Sequence, residues 1–275
     1  MIKVNLEFHK EKFKKYFNFL SYFENLSYFK LKNSWIVDIY ISNLFDEKLI
    51  NVFFKEENKG LINIKNIDWI RLNADSDKLT KTELFSITQG SKKININSKY
   101  HLIIPANNAF GTGSHSSTLL LIKNIEIILK KIKINSSFDL GSGSGILSLV
   151  LKKFKIKTII ASDNDEGVIP VINENRKKNN LSSFITLNCS EFKNRLLVNK
   201  KFDLIVANLF FNILKKLCLQ FSLRLKKGGY LIVSGIVKKQ VVELKNIYIK
   251  LNFKIIKISY EKDWVSIVFK KMSRR

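Results

Sequence analysis

Residues 139–145 decide the fold of this chain and read DLGSGSG. The stretch follows a short apolar segment and precedes a helical pattern, so it predicts the turn from a strand into a helix. Its glycines, Gly141, Gly143 and Gly145, permit a tight turn and let a ligand approach the backbone, while the helix behind them offers free N–H groups. Loops that bind a pyrophosphate usually have the spacing G-x-G-x-x-G, which this stretch lacks. We therefore interpret it as a loop for a ligand without phosphates, against the alternative that it is only a tight turn.

Strands and helices alternate around this loop. The periodicity predicts strands at 100–104, 137–140, 158–162, 184–187, 202–207, 230–234, 253–259 and 264–269. It predicts helices at 116–132, 146–154, 166–179, 213–225 and 237–250. Repeated βα units imply a parallel sheet with helices on both faces, whereas the short link at 260–263 requires an antiparallel hairpin. This α/β layout resembles the seven-stranded, doubly wound sheet of the class I methyltransferases, which implies that fold.

Polar side chains at predicted strand ends complete a candidate ligand site. Asp163 ends the strand after the glycine loop, at the distance where an acid reaches the ribose hydroxyls of a bound nucleoside. Asp165, two residues on, is interpreted as the cap of the next helix. Asn208 follows the strand at 202–207, so its amide is predicted to point at the reaction region, with helix capping as the alternative.

The first 72 residues show a different pattern. Period-two alternation predicts strands at 2–8, 27–31, 35–41 and 61–64, and helical spacing predicts helices at 13–23 and 44–53. The order strand-helix-strand-strand-helix-strand is typical of a small ferredoxin-like α+β domain. The polar segment 73–98 is interpreted as a linker into the next domain. The predicted domains are therefore a recognition domain at 1–72 and a ligand-binding domain at 99–275.

The charge of the chain first suggests a polyanionic partner. Its 275 residues carry a formal net charge of +25, which invites a nucleic-acid or anionic-membrane interpretation. Only six of the 48 basic residues are arginine, the residue suited to bidentate contacts with phosphates and bases. The charge is also uneven, because residues 1–80 carry a net +2 and residues 81–275 a net +23. We interpret the excess lysine mainly as composition bias and expect no sequence-specific nucleic-acid binding.

Residue counts and hydropathy argue against several other classes. Two cysteines cannot frame a disulfide scaffold, and three histidines without ligand spacing predict no metal site. The first residues, MIKVNLEFHKEKFKK, contain charges every few positions, so no signal peptide is predicted. No apolar run approaches the roughly 18 residues of a membrane span. We expect a cytoplasmic protein that does not bind membranes.

The stretch 109–118, which reads AFGTGSHSST, makes the interpretation specific. Together with the glycine loop, Ala207-Asn208-Leu209 and Ser234-Gly235-Ile236, it resembles the ribosomal protein L11 methyltransferases. The resemblance covers the whole chain, although the N-terminal half matches in layout and in Asp68-Trp69 more than in sequence. After the asparagine the chain has Leu209-Phe210 where the family has Ile-Leu.

The resemblance implies an enzyme that uses S-adenosyl-L-methionine to methylate amino groups of the stalk-base protein of the large ribosomal subunit. Lysine side chains, the N-terminal α-amine, or both would be modified, and the enzyme is expected to be a monomer. Cofactor contacts are implied for six residues, namely Thr118, Gly141, Gly143, Gly145, Asp163 and Asn208. Methyl transfer is expected at Asn208, bordered by Phe110 and Thr112. The alternative function is methylation of ribosomal RNA.

His115 lies in the same stretch and admits two roles. Histidine is suited to a general base, but methyl transfer from a sulfonium needs no protonation of the leaving thioether. We therefore favour a hydrogen bond at the start of the following helix.

Overall fold

The computed structural model describes residues 2–20, 26–30, 34–41, 54, 58–63, 79–89, 97–105, 113, 115–189 and 192–273. The chain divides into two compact units, Met1–Asp68 and Trp69–Arg275. The domain boundary predicted after residue 72 falls within a few residues of this division. Within the described ranges, no helix has the length and apolarity needed to cross a membrane.

The first unit contains a four-stranded antiparallel sheet. Its elements are β1 (Ile2–His9), α1 (Lys10–Leu20), β2 (Leu26–Lys30), β3 (Ser34–Ile41) and β4 (Asn58–Asn63), and the strand order is β2-β3-β1-β4. Val4, Leu6 and Phe8 are fully buried, because alternate side chains of β1 point to one face. They form one apolar cluster with Phe13 of α1. The second predicted helix, at 44–53, lies outside the described residues, so the ferredoxin-like assignment remains a prediction.

Residues 79–89, which the sequence analysis assigned to a linker, are folded into strands. They form β5 (Leu79–Lys81) and β6 (Phe85–Thr88), which join β7 (Tyr100–Ile103) in a three-stranded sheet of the second unit. Phe85 and Ile87 are fully buried, and the Glu126 carboxylate accepts a hydrogen bond from Thr82 Oγ1 at 2.5 Å. The linker prediction was wrong here because polar flanks hide a buried strand of only four residues.

The second unit is built on a seven-stranded sheet, which confirms the predicted fold class. The strands are β8 (Ser136–Leu140), β9 (Thr158–Asp163), β10 (Ile185–Asn188), β11 (Phe202–Asn208), β12 (Leu225–Val237), β13 (Phe253–Glu261) and β14 (Trp264–Lys271). Their order is β10-β9-β8-β11-β12-β14-β13; the first five are mutually parallel and β14 is antiparallel to both its neighbours. The strand order reverses between β8 and β11, where the carboxyl ends of the strands border a crevice suited to a ligand.

Helices cover both faces of this sheet. They are α2 (Ser116–Lys131), α3 (Ile146–Lys153), α4 (Val168–Lys178), α5 (Phe211–Lys216), α6 (Cys218–Arg224) and α7 (Val241–Lys250). Strand β11 shows the reason, since Leu204 and Val206 belong to one apolar cluster while Ile205 and Ala207 belong to another. A strand buried on both faces has a continuous apolar sequence, which made β11 easy to predict. The single helix predicted at 213–225 is instead divided into α5 and α6.

Candidate functional site

The glycine loop connects β8 to α3 and rests against the end of β9. The N–H groups of Gly141 and Ser142 donate to the Ser162 carbonyl at 2.8 and 3.0 Å. Gly141, Gly143 and Gly145 all have positive φ angles, of 70°, 51° and 79°. Glycine adopts this backbone region without the steric cost that a side chain brings. The loop is therefore a fixed turn at the carboxyl edge of the sheet, as its spacing predicted.

Asp139 fastens the strand before the loop to the helix after it. Its Oδ2 accepts hydrogen bonds from the Ser148 N–H at 3.0 Å and from Ser148 Oγ at 2.7 Å. Burial raises the pKa of Asp139 from its ordinary 3.8 to about 7, and the two bonds from Ser148 offset only part of that rise. Its Oδ1 is buried and has no partner among the described residues. Asp139 is thus a buried acid next to the loop, and its Oδ1 can still accept a hydrogen bond.

Asp163 lies at the end of β9 and faces the glycine loop. Its Oδ2 accepts from the Gly143 N–H at 2.9 Å, and its Oδ1 accepts from the Asp165 N–H at 3.2 Å. The side chain is half-buried, and each carboxylate oxygen retains acceptor capacity for a further donor. Asp165 is exposed, and its Oδ1 accepts from the Gly167 N–H at 2.9 Å at the start of α4. Only Asp163 therefore sits where a ligand on the loop would meet it.

Asn208 ends β11, the strand next to β8, so it lies beside the glycine loop. Its Nδ2 donates to Thr118 Oγ1 at 3.1 Å, and Thr118 is almost fully buried in the first turn of α2. This bond brings together two residues that the sequence predicted for one site. It also fixes the plane of the amide, so that the Asn208 carbonyl has a set direction.

His115 stands immediately before α2 and serves the start of that helix. Its Nδ1 accepts from the Ser117 N–H at 3.3 Å and lies 2.7 Å from Ser117 Oγ. The ring makes an edge contact with Trp264, with centroids 4.7 Å apart. Burial lowers the pKa of His115, which favours the neutral ring that such an acceptor requires. The predicted hydrogen bond at the helix start is confirmed.

Gly113 and His115 are the described residues of the stretch 109–118 that precede α2. Phe110 and Thr112, the two predicted partners of Asn208, lie outside the described residues. Gly113 has a φ of 88°, and a Cβ on it would lie 2.8 Å from both Ile146 Cδ1 and Ile87 Cγ2. The close approach of Gly113 to Ile146 places Gly113 at the first turn of α3, next to the glycine loop.

Leu209 is a site residue that sequence reasoning missed. A Cβ on Gly141 would lie 2.6 Å from Leu209 Cδ2, and a Cβ on Gly235 would lie 2.5 Å from the Leu209 carbonyl oxygen. Leu209 therefore lies closely against two glycines, Gly141 after β8 and Gly235 within β12. The signal was present as one glycine after β8 and one within β12, but only the sheet order, with β11 between these strands, shows that one residue lies against both.

The residues at this edge fit S-adenosylmethionine in their chemistry. A ribose has two hydroxyl groups that can donate hydrogen bonds. The Asp163 carboxylate can accept them, and it lies beside glycine residues whose backbone a ligand can approach closely. Buried polar atoms next to the loop, Ser142 Oγ, Ser162 Oγ and Asp139 Oδ1, have no partner among the described residues. In the same residues, no three His, Cys, Asp or Glu side chains are grouped as metal ligands would be.

Comparison with known proteins matches this arrangement to one family. The family model described as Ribosomal protein L11 methyltransferase (PrmA) matches residues 6–272. A protein of that name from Staphylococcus epidermidis is 34% identical over 166 residues, which are 60% of this chain and 52% of that protein. The match thus spans about half of that relative's length. A protein of the same name from Rhizobium rhizogenes is 29% identical over 207 residues, covering 74% of this chain and 71% of that protein.

A solved structure agrees with the fold. The crystal structure of a ribosomal protein L11 methylase from Lactobacillus delbrueckii subsp. bulgaricus superposes with a TM-score of 0.64. It is 24% identical in sequence and covers 71% of this chain and 99% of its own. At that identity the similarity speaks for the fold and not for the function.

Proposed function

The chain belongs to the ribosomal protein L11 methyltransferase family, and from this premise we propose that it transfers methyl groups from S-adenosylmethionine to amino groups of ribosomal protein L11. The observation that supports this most directly is the convergence of the glycine loop, Asp163 and the Asn208–Thr118 pair at one edge of the sheet. The rest of the chemistry follows from what these groups can bind and orient.

Cofactor binding is assigned to the glycine loop and the side chains around it. Gly141, Gly143 and Gly145 let the cofactor approach the backbone, and Asp163 accepts from its ribose hydroxyls. Thr118 holds Asn208 at the side of the site. When bound, S-adenosylmethionine supplies an electrophilic methyl group on a sulfonium.

The accepting nitrogen must be neutral when it reacts. A free lysine amine has a pKa of about 10.4 and an α-amine about 8, and burial lowers either value because it disfavours the charged form. The Asn208 carbonyl can accept an N–H of the amine, which turns the nitrogen lone pair toward the methyl group. Positioning of this kind supplies the main part of the rate enhancement. We assign no general base, because His115 Nδ1 already serves the helix start.

Recognition of the substrate is assigned to the first unit. Ribosomal proteins are generally basic, and residues 1–80 carry only a net +2 against +23 in the rest of the chain. Because of its low net charge, the first unit repels a basic protein less than the rest of the chain does. We propose that the enzyme acts as a cytoplasmic monomer on the stalk-base protein, modifying lysine side chains, the N-terminal α-amine, or both.

The direct test uses the full chain with methyl-labelled S-adenosylmethionine and separated components of the large ribosomal subunit. Label is expected in ribosomal protein L11, and mass spectrometry of its peptides should locate methyl groups on amines. Label in ribosomal RNA, or in other proteins with L11 unlabelled, would overturn the proposal.

A further inference from the structure

The amino edge of the large sheet, opposite the candidate site, is rich in lysine. Strands β8, β9, β11 and β12 are parallel, so their beginnings lie at this one edge. The segments directly before their first paired residues, 132–135, 154–157, 198–201 and 221–224, contain no acidic residue. They contain five lysines, at 133, 155, 157, 200 and 201, and one arginine, Arg224.

The carboxyl edge provides an internal comparison. The segments that follow the same four strands are 141–145, 164–167, 209–210 and 238–240. They contain two lysines, one aspartate and one glutamate, so they carry no net charge. A composition bias toward lysine acts on both edges alike. The difference between the edges therefore needs another cause.

Five lysines are among the residues that line a cavity of about 370 Å³ at the amino edge, between the carboxyl ends of α2 and α3. They are Lys130, Lys131, Lys133, Lys155 and Lys157, and none of the described residues that line the cavity is acidic. Lys130 is paired with Glu83. The other four are exposed, and none of them forms an ion pair with an acidic side chain in the part of the chain that is described.

Helix electrostatics explain only some of these positions. Lys130 and Lys131 lie in the last turn of α2, where a positive charge complements the helix dipole. Lys133, Lys155 and Lys157 lie beyond the helix ends and gain less, because the effect falls off within the last turn. Their mutual repulsion is unfavourable in the free protein and is relieved when an anion binds between them.

We propose that this lysine-lined cavity and the amino edge around it bind the phosphate backbone of RNA. Lysine ammonium groups suit phosphates as point charges, and the lining residues that the structure describes include no arginine to read bases. Binding is therefore independent of sequence and sensitive to salt. A flat lipid bilayer fits less well, because its headgroups do not enter a concave site. The proposal goes beyond methyl transfer and leaves the carboxyl edge free for a protein substrate.

The test measures RNA affinity of the full chain without cofactor, so its outcome is independent of methyl transfer. A fluorescein-labelled RNA hairpin of arbitrary sequence is titrated with protein, and anisotropy is followed between about 50 and 200 mM salt. The edge variant replaces Lys131, Lys133, Lys155 and Lys157 by Gln. The control variant replaces four exposed lysines of the carboxyl edge and outer strand by Gln, at 238, 239, 257 and 262. Lys155 and Lys262 both have positive φ angles, 60° and 55°, so the backbone strain is matched.

The edge variant is expected to bind RNA at least about tenfold more weakly than the wild type, with a shallower salt dependence, because each lost phosphate contact reduces that slope by about 0.7–0.9. The control variant, which has the same net charge, is expected to change little. Equal losses in both variants, or no RNA binding by the wild type, would overturn the proposal. Binding to phosphatidylserine vesicles but not to RNA would overturn it in favour of a membrane surface.

A second measurement on the wild type covers the case in which the edge variant does not fold. Lysines are acetylated with and without the RNA hairpin, and the sites are quantified by mass spectrometry. Protection of Lys133, Lys155 and Lys157, without protection of Lys238 and Lys257, supports the proposal. Protection spread evenly over both edges contradicts it.

Discussion

Asn208 Nδ2 donates a hydrogen bond to Thr118 Oγ1 over 3.1 Å, joining the end of β11 to the first turn of α2 across 90 positions of sequence. An asparagine amide can form two kinds of hydrogen bond, because its NH₂ group donates and its carbonyl oxygen accepts. With the NH₂ group held by Thr118, the carbonyl is left to meet an incoming amine. The pair is therefore a positioning device that neither residue makes alone.

Asn208→Ala is expected to lower kcat by about 100-fold, because loss of orientation at the reacting atoms has effects of that size. S-adenosylmethionine binding, measured by calorimetry, should weaken far less. Thr118→Val should give a smaller loss in kcat, and the double variant should be no worse than Asn208→Ala alone. Equal losses in turnover and cofactor affinity would contradict an orienting role for Asn208.

Asp163→Asn is expected to weaken S-adenosylmethionine binding by about 10- to 100-fold, the range for hydrogen bonds to a charged group. Asp165→Asn is the matched control, because an amide oxygen there can still accept from the Gly167 N–H. Calorimetric titration of both variants with S-adenosylmethionine shows which of the two acids contributes to cofactor affinity. If Asp165→Asn lost as much affinity as Asp163→Asn, the ribose role of Asp163 would be wrong.

Gly141→Ala is expected to destabilise the fold by about 2–3 kcal/mol, through positive-φ strain and displacement of the partly buried Leu209 side chain. The new Cβ would lie 2.6 Å from Leu209 Cδ2. Gly228→Ala isolates the strain, since its φ is 76° and no atom lies within 4 Å of a Cβ there. That control should cost about 1–2 kcal/mol in urea denaturation. Similar costs for the two variants would show that the Leu209 contact is unimportant.

Asp139 is expected to make the protein less stable as the pH rises from about 4 to about 7. Its pKa is raised from 3.8 to about 7 in the folded state, so over this range the folded state binds more protons than the unfolded state. Stability then falls with pH, by an amount on the order of 2–4 kcal/mol in total. This loss of stability is absent below the unfolded-state pKa of 3.8 and complete above the folded-state pKa of about 7.

Asp139→Asn should remove this component, so the difference in unfolding free energy between variant and wild type should shift in favour of the variant from pH 4 to pH 8. Urea denaturation at a series of pH values measures it. A difference that stays constant across that range would mean that Asp139 is ionised throughout.

His115→Ala is expected to cost about 0.5–2 kcal/mol of stability, the usual cost of losing a side-chain cap. His115→Asn should lose less, because asparagine also accepts from the N–H groups of the first turn. The pH dependence of kcat should be the same in His115→Asn and the wild type. Loss of an ionisation from that profile in His115→Asn would instead identify His115 as a general base.

Local sequence signals predicted much of this molecule. The spacing of Gly141, Gly143 and Gly145 requires a turn that only glycine adopts readily, and the apolar run of β11 requires burial on both faces. The length of the link at 260–263 alone excludes a parallel crossover. Asp163 lies beside the glycine loop, as its spacing predicted, because its distance from the loop is fixed by one helix and one strand.

Other features depended on contacts between distant parts of the chain. The buried strand β6 was hidden by its polar flanks, and it is stable because Phe85 packs against Tyr100 and Phe154.

The sequence by itself determined the class of fold, the glycine loop and the acid beside it, since each follows from residue spacing and backbone sterics over a few tens of residues. Only the tertiary structure decided that Thr118 holds Asn208, that Leu209 fills the space left by Gly141 and Gly235, and that scattered lysines meet in one cavity. These relationships depend on which strands become neighbours. Strand order is set by packing of the whole sheet, so no local pattern encodes it.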